Sequence, residues 1–166
     1  MAIYGATLWE PQNMEANFNV DAIGKNSEAF TVGDPVTYSS GQLLVAGTTN
    51  AIAGVVAKTV TMASTNVGGA NVAPLYIPVD ETTQFLMGCN ANLTGNSTDT
   101  GTYYKLTANT TNTVQVDVTN GVQVNTSRVV MIKKVDPLNE GGATGLQKAV
   151  VVFVKKVTDI GSGSTA

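Results

Sequence analysis

An all-β fold is predicted by three observations. Valine and threonine number 23 each, and β-branched side chains fit strands while losing side-chain freedom in helices. Apolar residues fall in short runs separated by turn residues, at spacings of about 8 to 12 residues, which is the pattern of a sandwich or barrel. Valines alternate with polar residues from Val114 to Val124, with Asn120-Gly121 between two such runs. At 166 residues the chain has room for a single small β-barrel or sandwich domain, which buries about two thirds of its surface on folding.

The elements follow in order. Residues 1–29 scatter Ile3, Tyr4, Leu8, Trp9, Phe18 and Ile23 with a period of neither 2 nor 3.6, so they read as an irregular N-terminal arm. Strands are expected at Phe30–Val32, Val36–Tyr38 after Gly33-Asp34-Pro35, and Leu43–Ala46 after Ser39-Ser40-Gly41. A longer strand is expected over Ile52–Val60, in which Gly54 marks a bulge or a close approach. Val67–Asn71 reads as a loop, Ala73–Val79 and Gln84–Met87 as strands, residues 90–101 as a polar loop, and Tyr103–Leu106 as a strand again. Around Asn120-Gly121 a three-residue loop pairs Val118 with Val122 and Val116 with Val124 on one face, so a hairpin with Gly121 in the left-handed region is expected. Val129–Val135 and Ala149–Val157 complete the sheet. The domain organisation is therefore an arm over 1–29, a β domain over 30–158 and a flexible tail over 159–166.

Composition also narrows the chemistry. Histidine is absent, which removes Ser-His-Asp and Cys-His nucleophiles, imidazole acid/base catalysis and His-containing zinc sites. The single cysteine, Cys89, forms no internal disulfide and, with no nearby cation in the sequence, reads as a small buried hydrophobe. A net charge of -3 opposes binding to nucleic acid or an anionic membrane. The basic pairs Lys133-Lys134 and Lys155-Lys156 read as solvated or edge lysines. Asp80 and Glu81 adjoin, but neighbours on a strand face opposite ways, so they read as surface acids. Asn96–Gly101 resembles a calcium loop only in its glycine, with Thr107 where a bidentate Glu is needed. No cofactor or metal is expected, and the chain is expected not to be an enzyme. Met1–Gln12 has no basic and apolar signal regions, so synthesis in the cytoplasm is expected.

The order Phe30-Thr31-Val32-Gly33-Asp34-Pro35-Val36, Gly41-Gln42-Leu43, Ile52-Ala53-Gly54-Val55-Val56 and Gln84-Phe85-Leu86, followed by a Val-rich C-terminal strand, resembles head decoration (cement) proteins of tailed bacteriophages. The resemblance spans roughly residues 30–157. It implies a β-barrel or β-tulip subunit, often a homotrimer, that binds the major capsid protein on the outside of an assembled capsid and stabilises it. The expected location is thus the virion surface, with no nucleic acid, membrane or small-molecule partner. A receptor- or glycan-binding module of a tail is the alternative, although its aromatics should gather in one loop region and here they are spread. Since strands from Phe30 onward fill the interior of a small barrel, Tyr4, Leu8, Trp9 and Phe18 need burial elsewhere. They are expected to contact the capsid or a neighbouring subunit, and the competing reading folds the arm over its own domain.

Overall fold

The structure, a computed structural model, describes residues 7–9, 24–62, 74–80, 82–108, 114–123, 127–135 and 148–157. Its strands are β1 (Thr7–Trp9), β2 (Ala29–Phe30), β3 (Pro35–Ser39), β4 (Gln42–Val45), β5 (Gly54–Val56), β6 (Val60–Thr61), β7 (Tyr76–Pro78), β8 (Gln84–Gly88), β9 (Tyr103–Tyr104), β10 (Leu106–Ala108), β11 (Val114–Val116), β12 (Val130–Val135) and β13 (Lys148–Phe153). A single helical turn, α1 (Asn96–Asp99), interrupts the expected polar loop between β8 and β9. All pairings between these strands are antiparallel, so the chain is all-β, as its composition predicts.

Among the described residues the strands form a five-stranded sheet in the order β1-β8-β13-β12-β9, a four-stranded sheet β4-β3-β5-β7, and the pairs β2-β6 and β10-β11. Among the described residues no sheet closes, which corrects the barrel alternative. Closure requires the two edge strands to pair, and here three-residue β1 and two-residue β9 stand at opposite edges of the large sheet.

The β3–β4 hairpin shows how local chemistry sets register. Ser40 and Gly41 both have positive φ, 51° and 76°, as a two-residue type I′ turn requires, and this places Ser39 opposite Gln42 and Val36 opposite Val45. Upstream, the turn from Thr31 to Asp34 carries Gly33 at φ 92°, and Asp34 Oδ2 accepts the Thr31 N–H at 2.8 Å. The expected strand over Ile52–Val60 is broken after Val56. Ala57 instead donates its N–H to the Leu75 carbonyl, and the chain then leaves to pair as β6 with β2.

Strand alternation on the four-stranded sheet feeds two separate cores. Val55, with Ile77 beside it, joins Phe85, Met87, Ile132, Val151 and Phe153 of the large sheet, so the two larger sheets share one core. Val56 and Tyr76, their chain neighbours, join Phe30, Val36, Leu43 and Met62 in a second core on the opposite face. The rings of Phe85 and Phe153 meet edge to face at 5.4 Å, a favoured aromatic geometry. A layered sandwich is the result.

Among the described residues the valine-rich hairpin is not formed. Both edges of β11 are already occupied, one by β10 (Leu106 opposite Val116) and the other by Cys89 and Asn90, whose N–H bonds the Val116 carbonyl at 3.0 Å. The turn itself is present: Gly121 N–H bonds the Val118 carbonyl at 3.0 Å and Gly121 has φ 70°. Beyond it Val122 is 55% exposed, and Gln123 pairs with the Tyr103 carbonyl instead; Val124 lies outside the described residues. A Cβ at Gly121 would touch nothing within 4 Å, so substitution there acts through backbone strain alone. Gly121→Val is expected to cost about 1–3 kcal/mol, read from the denaturant midpoint, and an unchanged midpoint would contradict the left-handed turn.

Candidate interaction surface

The described carboxylates are engaged with the fold. Asp117, only 2% exposed, accepts the Asn90 side-chain amide at 2.9 Å and that of Asn120 at 2.6 Å, and lies 3.6 Å from the Lys105 ammonium. Burial acts to raise its pKa, but those hydrogen bonds and the lysine charge outweigh it and hold the carboxyl below its ordinary value. Asp99 accepts the Gly95 N–H at 2.7 Å and the Tyr104 hydroxyl at 3.3 Å, which closes the candidate calcium loop around its own acid. Asp80 is exposed, and its Oδ1 accepts the N–H groups of Thr82 and Thr83 at 2.7 and 2.6 Å. Partial burial opposes these bonds and the threonine hydroxyls, but they prevail and its pKa falls to about 2. Burial pushes Asp34 up, against the Thr31 N–H, with the Glu28 charge adding to the rise. Glu28 itself accepts the Val45 N–H at 3.1 Å and pairs with Lys25 at 3.6 Å.

Cys89 is 2% exposed and burial, aided by the Asp99 charge, pushes its thiol up to about 12, as suits a packed hydrophobe. Among the described residues no three of the Cys, Asp and Glu side chains are grouped to hold a metal.

The edge of the large sheet and its face turned away from the shared core are arranged differently. At its edge, β1 sets Thr7 opposite Leu86, Leu8 opposite Phe85 and Trp9 opposite Gln84. Part of the N-terminal segment that sequence pattern leaves irregular is therefore a strand on its own subunit, and β pairing crosses the expected boundary at residue 30. Three residues are too few to show a period, and the partner strand lies more than 70 positions away, so no local signal marks this one. Tyr4 and Phe18 lie outside the described residues.

On β12 the register shifts between Ile132, opposite Val151, and Lys134, opposite Val150, leaving Lys133 as the extra residue of a bulge. A regular strand would send Ile132 and Val135 to opposite faces. The bulge restores both to the core and leaves Lys133 and Lys134 exposed together. Lys148, two residues before Val150 on β13, shares that outer face and is half-buried. The same face continues through Val150 and Val152, which are buried, to half-buried Leu86 and Met131, which stand opposite them. The departure from period 2 in Ile132-Lys133-Lys134-Val135 is the sequence signal for this feature. Lys155 of the other basic pair is turned to the Thr49 carbonyl at 2.6 Å.

The chain matches no protein-family model, no curated protein and no solved structure.

Proposed function

We propose that the chain is a structural virion protein that binds the outside of an assembled phage capsid and stabilises it, acting as a homotrimer on the major capsid protein. The observation that carries this reading is the division of labour in the fold. Its described acids and its thiol are spent on turns and core, while the N-terminal strand β1 forms an edge of the large sheet and the β12 bulge turns Lys133 and Lys134 to solvent. Such a molecule is suited to contact rather than to chemistry, and repeated contacts on a rigid lattice stabilise it once each exceeds the cost of ordering. Leu8 and Trp9 at the β8 edge, with Tyr4 and Phe18 beside them in sequence, are the residues assigned to the capsid or a neighbouring subunit.

Co-sedimentation with expanded capsids that lack this protein tests the reading. The full chain is expected to pellet with the particles and to raise their melting temperature. A chain lacking residues 1–18 is expected to remain folded but to lose trimerisation or capsid binding. A full chain that stays in the supernatant overturns the reading; a truncated chain that binds as well as the full one, or that unfolds, overturns the role of the N-terminal segment.

A further inference from the structure

We propose that Lys133, Lys134 and Lys148, grouped around the β12 bulge of the large sheet, form a docking site for a carboxylate-bearing protein surface. The site rests on the capsid reading only for where that surface is found. The bulge sets Lys133 and Lys134 side by side toward solvent. Lys148 is the diagonal neighbour of Lys134 across the β12–β13 ladder, a separation of about 7–8 Å between backbones. Among the described residues none of the three forms an ion pair, whereas Lys25 and Lys105 each have a carboxylate. A bulge that exposes two adjacent lysines in a chain with only nine basic residues concentrates positive charge on one face of a net-negative molecule.

Charge and setting choose the partner. The cations are all lysine, which meets an anionic group as a point charge rather than through arginine's planar bidentate fork. The overall charge of -3 repels extended polyanions such as nucleic acid or an anionic bilayer at long range, but it does not oppose a few carboxylates brought within a Debye length of about 10 Å at 0.1 M salt. On the same side of the sheet, half-buried Leu86 and Met131 stand opposite buried Val150 and Val152, so the lysines have a narrow apolar margin beside them, as at the polar rim of a protein interface.

The test uses an octaglutamate peptide as probe, titrated into the isotope-labelled full chain at low salt and followed by backbone amide shifts. Shifts centred on Lys133, Lys134 and Lys148, lost on raising the salt and weakened about tenfold in the triple variant K133Q/K134Q/K148Q, are expected. Unchanged thermal melting of that variant is expected and shows that the fold is intact. Shifts that centre on Lys25 or Lys58, an unaffected triple variant, or tighter binding of a heparin oligosaccharide or of phosphatidylserine vesicles would overturn the assignment. Because no capsid enters this experiment, its failure is distinct from failure of co-sedimentation.

Discussion

Gly54→Ala is expected to destabilise the chain by about 3 kcal/mol, the upper part of the usual range for overpacking. Gly54 lies on β5 between β3 and β7, opposite Val36 and Pro78. A Cβ added there would overlap the Tyr76 ring and stand 2.5 Å from the Ile77 carbonyl oxygen. Neither neighbour can yield easily, since Tyr76 is wholly buried in the second core and the Ile77 carbonyl belongs to the backbone of β7. The loss is a sizeable part of the 5–15 kcal/mol that holds an ordinary domain together. Denaturant unfolding measures it, and Tyr76→Leu in the same chain is expected to recover only part of the loss because the carbonyl remains. An unchanged midpoint in Gly54→Ala would mean that β5 and β7 are not this close.

Asp117→Asn is expected to cost about 2–4 kcal/mol at neutral pH, because a buried charged acceptor is replaced by an amide and its partners lose their bonds. Asn90 is held by Asp117 and in turn accepts the Val118 and Thr119 N–H groups at 2.8 and 3.2 Å. The whole turn after β11 therefore depends on this one carboxylate. Its pKa is depressed in the folded state, so its stabilisation is fully present above the unfolded value of about 3.9 and is lost as pH falls through the lower folded value. Asp34 runs the other way: its raised pKa favours the protonated form on folding, which adds stability as pH falls. Comparing native protein with Asp117→Asn at pH 7 and near pH 3 cancels the Asp34 contribution, and the difference between them should shrink at the lower pH. A pH-independent difference would contradict the ionic role.

The parts of the fold that were legible in the sequence rest on short-range rules. Ser40-Gly41 and Gly33 sit where turn chemistry predicts, and the close approach at Gly54 is the one its glycine implied. Missed features depend on partners distant in sequence. Valine alternation at Val114–Val118 predicts a half-exposed hairpin strand, yet Gln115 and Asp117 are buried as well, because β10, β8 and Asn90 enclose that segment. The expected strand over Ile52–Val60 joins an apolar run ending at Ala57 to Val60 across Lys58-Thr59, but hydrogen-bond partners on β2 and near β7 divide it. At the candidate surface, the lysine pair and its departure from period 2 are visible in the sequence, while the register with β13 identifies that departure as a bulge that turns both residues outward.

Electron microscopy of the native particle tests the central claim most directly. Density accounting for this 17.1 kDa chain is expected in regular copies on the outer face of the capsid lattice, grouped in threes, with the β1 edge or the Lys133–Lys134 bulge toward the capsid protein. Density confined to the tail, or a capsid exterior with no copy of the chain, would contradict it.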